Sequence, residues 1–524
     1  MNAAPAPLPA APPSPPSPVF DFRLAVGLLG ILLAAMMAGL NNRVPGLVLA
    51  DMQGALGLAR DDASWLTTAY TAGELATMPF SAWFAVTFSM RRFHLAMLGV
   101  ALALSVIFPF AQNLPFLLAL RFLHGVFSGA LIPLLMMAAL RFLPPPIRLH
   151  GLALFALSVT FSPNVALWLA ALCVDRFEDW RWVYWHVVPI GFLAMALVAW
   201  GIPGMPPMPE RFRQGNWFGM ALGFPGLALL ALGIDQGVRL DWFHSPLIVA
   251  ALVTGGVFTT LFFISEWFHP APFVRLQLLR RRNLGLGFSI FLFLLMTLAS
   301  GVTLPASALA NLHGFRMEQS ASLGLLVGLP QLLLGPGVAL LLYRKWVDAR
   351  LVFASGLACI AAACYLSSGI TGEWMARQFM TAGILQTIGQ PMAVVSALFL
   401  GTSVVQPMEG PFVAGLINIL RVLGTTLTGA FTGQFTALRG RFHSEMLLDH
   451  AGNLLPRLHD PLPGDLGGIV AREASILAVA DLYRVFALLA LLLIPLVLML
   501  QHIPAPAVKR PPTPTAPMPA GVPS

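Results

Sequence analysis

The sequence predicts an all-α polytopic membrane protein: two six-helix bundles with two additional helices inserted between them, fourteen transmembrane helices in all. Three observations predict it. Fourteen apolar stretches run along the chain, each long enough, at about 1.5 Å per residue, to cross a hydrocarbon core of about 30 Å. The first five recur in the same order about 260 residues later, the mark of a duplicated bundle. Finally, 57% of residues are hydrophobic and only 10% charged, too few charges to solvate a water-soluble surface of this size. Lipid offers no hydrogen-bond partners, so the spans must be helices or a closed barrel, and long apolar runs without period-two alternation exclude the barrel.

Taken in order, residues 1–18 are rich in Pro and Ala and read as a disordered tail. They lack the basic leader of a signal peptide, so the first span is expected to be retained. The N-terminal six-helix bundle occupies 19–203, with spans opening near Leu24, Ala63, Phe93, Leu114, Ile147 and Trp182. Residues 204–270 form a linker whose two apolar stretches, Trp217 to Ile234 and Pro246 to Ser265, have no counterparts. The C-terminal bundle, 271–503, repeats the pattern from Asn283, Ser320, Leu351, Gly372, Met408 and Leu482. Its stretch 438–480 reads as an extracytoplasmic loop of mixed charge, carrying Arg439, Arg441, His443, Glu445, Asp449, Arg457, Asp460 and Asp465. Residues 504–524 are a second Pro-rich tail, expected to be disordered.

The formal net charge of +8 could suggest a nucleic-acid partner, but its distribution argues against one. With the amino terminus inside, Arg91, Arg92, Arg141, Arg148, Arg211, Arg213, Arg280, Arg281, Arg282, Arg344 and Lys345 fall on the cytoplasmic side, while the acids gather outside. That asymmetry is a topology signature and places both termini in the cytoplasm. Cys173, Cys359 and Cys364 imply neither a disulfide nor a metal site. The only lysines are Lys345 and Lys509, and neither follows a glycine, so no phosphate-cradling GxxxxGK[ST] loop exists. A P-loop ATP-driven pump is excluded, and the absence of HExxH and GxSxG disfavours a membrane hydrolase. No cofactor is expected; an ion gradient is the default energy source.

A few polar residues interrupt the apolar spans. Glu74 lies about eleven residues into its span, where an unpaired carboxylate would be costly enough to take up a proton; the alternative is a salt-bridged or pocket-facing structural carboxylate that never titrates. Arg121 stays charged at any relevant pH and needs a partner or a watery cavity, and Glu74 is the partner expected for it. Its alternative role is to snorkel or merely to bond backbone carbonyls near a helix kink. His124, one turn on, is either a proton relay or a hydrogen-bonded packing residue. Arg421, deep in the thirteenth span, either ties helices together or serves substrate or coupling. Gln386 and Gln390, one turn apart, either orient a ligand or bond between helices. Gly125, Gly129, Pro133, Pro163, Gly389 and Pro391 permit close approach and kinks. Trp180, Arg181 and Trp182 open an aromatic run suited to anchoring at the membrane interface.

Across nearly the whole chain between the tails, these segments resemble the major facilitator superfamily, and in particular its fourteen-helix drug:proton antiporters of the EmrB/QacA type. Arg121-Phe122-Leu123-His124-Gly125 looks like the superfamily's RxxQG motif with His in place of Gln. The run from Trp180 to Gly191 is similar to the family's WRWIFxINxPIG, and Asn418 to Gly424 resembles its NxxRxLG. Asp235-Gln236-Gly237 followed by Asp241-Trp242-Phe243 looks like the loop between the two additional helices. Departures are equally specific. The first-helix LDxTIVNVALP appears as Leu40 to Ala50, with Asn41 where the family carries its intramembrane Asp. The GxLxDxxGRR motif survives as Ser81 to Ala85 with Arg91 and Arg92, without its Asp. The antiporter motif GPxxGG is reduced to Ser162 to Leu167 around Pro163. The chain therefore reads as a divergent branch, with Glu74 standing in for the missing carboxylate.

The resemblance implies a major facilitator fold and a secondary transporter, not an enzyme. It would export hydrophobic or amphipathic small molecules by alternating access, driven by the proton gradient across the cell's inner membrane. Glu74, Arg121 and His124 would couple protons, and Asn41, Gln386, Gln390 and Arg421 would face a cavity expected to have aromatic-rich walls. Arg91, Arg92, Pro163, Trp180, Arg181 and Trp182 would serve gating or structure. The 438–480 segment either meets a periplasmic adaptor protein feeding an outer-membrane channel or is a plain solvated loop. An uptake symporter or facilitator on the same fold is the alternative; a membrane-embedded transferase is a remote one.

Overall fold

The computed structural model describes residues 20–144, 146–454 and 465–506. The expected tails fall outside these residues except for 504–506, which have no regular secondary structure. Among the described residues every regular element is helical.

The fourteen spans form in the expected order. In the N-terminal half they are α1 (Phe22–Leu47), α2 (Arg60–Phe88), α3 (Met90–Phe110), α4 (Leu114–Phe142), α5 (Arg148–Arg176) and α6 (Trp182–Gly201). The inserted pair is α7 (Trp217–Gly237) and α8 (Pro246–Phe268). The C-terminal half contains α9 (Arg282–His313), α10 (Met317–Leu342), α11 (Ala349–Ser367), α12 (Ala376–Thr402), α13 (Gly410–Leu454) and α14 (Leu466–Leu498). Thirteen of these are long and apolar enough to cross a membrane. The exception is α2, which at 29 residues has the length but is diluted by Thr67, Thr68, Thr71 and Glu74. Its polarity follows from its position, because it lines the centre of the molecule.

Close approach fixes that centre. A methyl group added to Gly125 on α4 would collide with the Tyr70 carbonyl of α2, and one on Gly73 would strike the Phe122 carbonyl. At Gly129 the added carbon would lie 2.8 Å from the Glu74 Cα. Three glycines thus seat α4 against the very turn of α2 that bears Glu74. The same device joins Gly389 of α12 to Gly356 of α11, where a Cβ would lie 2.8 Å from the Gly356 carbonyl oxygen. Pro163 in α5 and Pro391 in α12 sit inside their helices, and Pro133 opens the second segment of α4, after the break at Ala130.

Polar residues also cap helix ends. The Asp21 carboxylate accepts from the Leu24 amide at 2.8 Å at the start of α1, and Asn216 caps α7 through the Gly219 amide at 2.9 Å, each meeting an otherwise orphaned donor. On α8, Val253, Val257, Leu261, Ile264 and Phe268 are exposed; on a helix of this composition such a face meets lipid.

The stretch 438–480 differs from the expected loop. Helix α13 runs unbroken for 45 residues to Leu454, and α14 begins at Leu466. Their ends form a helical hairpin carrying the mixed charges, knitted by Asp481, which accepts from Arg439 Nε at 2.7 Å and Arg484 Nη1 at 2.9 Å and lies 2.8 Å from His443 Nε2. Asp481 thus pairs with Arg484 one turn along its own helix and with Arg439 and His443 across the hairpin, which ties the extended ends of α13 and α14 to each other. Of the residues expected in that loop, Arg457 and Asp460 lie outside the described residues.

Candidate functional site

Between the two halves lies a cavity with two adjoining lobes of about 390 and 400 Å³. Arg43 on α1, Pro163 on α5, Thr303 on α9 and Arg421, Thr425 and Gly429 on α13 line both. One lobe adds Asn42, Thr67, Thr71 and Glu74 from the N-terminal half, and Asp235 from α7. The other adds Asn164 from α5, Gln390 from α12 and Leu295 and Leu298 from α9. Among the described residues no aromatic ring lines either lobe, contrary to the expected aromatic walls. The rings pack elsewhere: Trp83, for example, meets Phe84, Phe212, Trp217 and Phe273 with centroids 5.0 to 5.9 Å apart.

Glu74 occupies the boundary of the halves, and its partner is Arg421 rather than Arg121. The Arg421 Nη2 donates to Glu74 Oε1 at 3.1 Å, and the Asn42 amide donates to Oε2 at 3.2 Å. Both members of the ion pair are nearly buried, with side chains 8% and 4% exposed. Arg121 is fully buried beside the Tyr70 ring, 4.5 Å from its centroid, and donates to the carbonyls of Leu66 and Asn41, both at 3.3 Å. The glycine contacts that press α4 against α2 place Arg121 on the far side of α2, where aromatic faces and backbone oxygens replace a carboxylate. His124 follows it into that core: its Nε2 lies 3.1 Å from Ser105 Oγ and its ring stands edge-on to Tyr70. It does not line the cavity.

Asn41 also turns away, its side chain donating to Ser128 Oγ at 3.3 Å. Its neighbours Asn42 and Arg43 face the cavity instead, because successive helical residues point about 100° apart. Gln386 is buried and donates to Ser300 Oγ at 2.9 Å. Gln390 reaches the cavity wall, but its Oε1 accepts from Asn164 at 2.8 Å and Gln331 at 2.9 Å, and its Nε2 donates to Gln386 at 3.2 Å. The two glutamines thus bond between helices, and the Asn164 link crosses the halves. Arg91 and Arg92 make no ion pair among the described residues. Trp182 is exposed and packs on Phe177 and Trp185, Trp180 meets Tyr184 edge-on, and Arg181 is exposed.

Two charged cavity residues escaped the sequence reading. Arg43 falls inside the first-helix stretch Leu40 to Ala50 but was not singled out; α1 runs on to Leu47, and an arginine inside an uninterrupted apolar helix is the signal that points to it. Asp235 was read as part of a loop, but α7 continues through Gly237. That extra turn lets Asp235 accept from the Thr68 hydroxyl on α2 and draws α7 into the cavity wall.

No cluster of metal-binding side chains occurs among the described residues. The arrangement instead offers a central chamber, a cross-half ion pair and interhelical amides, the parts a rocking bundle needs around a midplane site. Comparison with known proteins agrees: the sequence profile of the Major Facilitator Superfamily matches residues 31–429. The chain belongs to the Major Facilitator Superfamily. It is accordingly a multi-pass membrane transporter and not an enzyme. Within the superfamily it is 24% identical to the probable multidrug resistance protein EmrY of Escherichia coli, over 92% of this chain and 96% of that protein. It is 23% identical to the fatty acid resistance protein FarB of Neisseria gonorrhoeae, over the same shares. Among solved structures, the human organic anion transporter MFSD10 shares the fold at a TM-score of 0.55 and 16% identity, over 91% of this chain and 99% of that one. A peptide transporter of the POT family aligns at a TM-score of 0.57 and 14% identity, over 92% and 97%.

Proposed function

We propose that this major facilitator is a proton-coupled exporter of hydrophobic or amphipathic small organic molecules, working by alternating access. The observation that carries the reading is the Glu74–Arg421 pair, which ties α2 to α13 at 3.1 Å beside the cavity. While Glu74 is ionised, the pair holds the halves together. A proton on Glu74 removes its negative charge and makes it a much weaker acceptor for the Arg421 guanidinium, so the halves are released to rock. The names of the relatives, multidrug and fatty acid resistance proteins, support export and a substrate with apolar surface. Leu295, Leu298, Leu304 and Val422 supply apolar wall for it.

In this reading the driving force is the proton gradient and no cofactor takes part. The protein sits in the inner membrane with both termini cytoplasmic, as the distribution of basic residues supports. The α13–α14 hairpin then projects from the opposite face, where its charged surface suits a periplasmic adaptor protein that feeds an outer-membrane channel. The test is proton flux in proteoliposomes across a panel of dyes and amphiphiles. Substrate-dependent proton movement in the parent and its loss in Glu74→Gln is the expected result; full coupling in Glu74→Gln refutes the switch.

A further inference from the structure

The cavity's acceptors and donors are unequally satisfied. Both carboxylates in its wall have protein donors: Glu74 takes Arg421 and Asn42, and Asp235 takes Thr68. The donors do not balance. Arg43 lines both lobes, yet its guanidinium has no hydrogen-bond or ion-pair partner among the described residues. Arg421, itself 6% exposed, spends Nη2 on Glu74 but leaves its buried Nε without an acceptor. Thr432, in the lobe lined by Leu295 and Leu298, has a buried hydroxyl that also lacks a partner. Guanidinium groups only donate, so what these groups lack is an acceptor, and two adjacent cations at membrane depth call for an anionic one.

We infer that the cavity is a binding site for amphipathic organic anions, with Arg43 and the free Nε edge of Arg421 holding a carboxylate-like head and the Leu295–Leu298 wall covering the apolar tail. The proposal rests on the cavity being the place where cargo is carried. The head group takes up donors that Glu74 does not use, so the cross-half ion pair can persist while the anion is bound. A carboxylate on two guanidinium groups gains charge-assisted bonds that a neutral or cationic analogue cannot make. Arg43 occupies the position where the family pattern LDxTIVNVALP has a threonine, so this selectivity is a property of this chain's own divergence.

Equilibrium binding tests the site without requiring transport or coupling. The full-length protein in phosphatidylcholine nanodiscs is titrated with three ten-carbon probes, decanoate, decanol and decyltrimethylammonium, with partitioning into empty nanodiscs subtracted. Decanoate is expected to bind at least about tenfold more tightly than the other two. In Arg43→Gln that preference is expected to disappear while decanol binding stays unchanged, and Arg43→Lys should keep part of it. Nanodiscs containing phosphatidylglycerol separate the sources of the anion: competition with decanoate there supports the same site and adds a lipid head group to its ligands. Equal binding of decanoate and decanol to the parent protein overturns the proposal even if no variant folds, and so does a loss of all three probes alike in a folded Arg43→Gln. Anion binding without proton-coupled flux refutes only the export reading, whereas coupled flux with no preference for decanoate refutes only this one.

Discussion

Arg421 on α13 reaches Glu74 on α2 across 347 positions of sequence and donates to its carboxylate at 3.1 Å. Because one residue comes from each half, the bond reports directly on whether the halves are together. A double-mutant cycle should therefore find the two coupled. Arg421→Gln alone leaves Glu74 without its cation and should lower stability. Adding Glu74→Gln should recover about 1–3 kcal/mol of it, as for other pairs in direct contact. Thermal unfolding of the four proteins measures the term, and simple additivity would show the pair to be energetically inert.

Glu74→Gln by itself keeps the shape of the side chain but cannot carry a proton. Substrate-driven proton uptake in proteoliposomes is expected to drop at least about tenfold, since the switch loses its charged state. Substrate binding should persist, because the rest of the cavity wall is intact.

Arg121 predicts the opposite pattern. It bonds the carbonyls of Leu66 and Asn41 and packs on Tyr70, so it joins α4 to α1 and α2 rather than serving the cavity. Arg121→Gln is expected to cost about 3 kcal/mol of stability through the lost charged hydrogen bonds. In the fraction that folds, the ratio of protons to substrate should equal the parent's; a changed ratio would return Arg121 to the coupling machinery.

At Gly125 the test is steric. The added methyl of Gly125→Ala meets the Tyr70 carbonyl, a backbone atom that cannot swing aside. Overpacking of this kind costs about 1–3 kcal/mol. The expected readout is a lowered unfolding temperature, with Gly440→Ala, inside α13 where nothing lies within 4 Å, as the control that is not destabilised.

Outside the membrane, Arg281 donates through both terminal nitrogens to Glu409, each at 2.7 Å. These bonds hold the Glu409 carboxyl below the usual carboxylate range. A depressed folded value means that the stabilisation is complete above the unfolded value of about 4.3 and fades as pH falls below it. The parent should exceed Glu409→Gln by about 1 kcal/mol at pH 7, and the gap should narrow as pH falls below the unfolded value and vanish once the folded carboxyl is protonated as well. A gap that did not change with pH would show that the difference comes from packing.

The sequence by itself determined the membrane architecture: fourteen helices, their order, the duplication and the inserted pair. Those follow from apolar length, which is local and additive along the chain. It also singled out Glu74 and Arg421, since an ionisable group inside an apolar span is visible without coordinates. Only the tertiary structure decided the pairing. Arg121 lies closer in sequence to Glu74 than Arg421 does, but the small residues Gly73, Gly125 and Gly129 bring α4 against α2 so tightly that Arg121 turns into an aromatic core. Likewise a one-residue step along α1, about 100° of rotation, sends Asn41 to Ser128 and Arg43 into the cavity. Which face of a helix meets which neighbour depends on contacts hundreds of residues apart, and no local pattern encodes that choice.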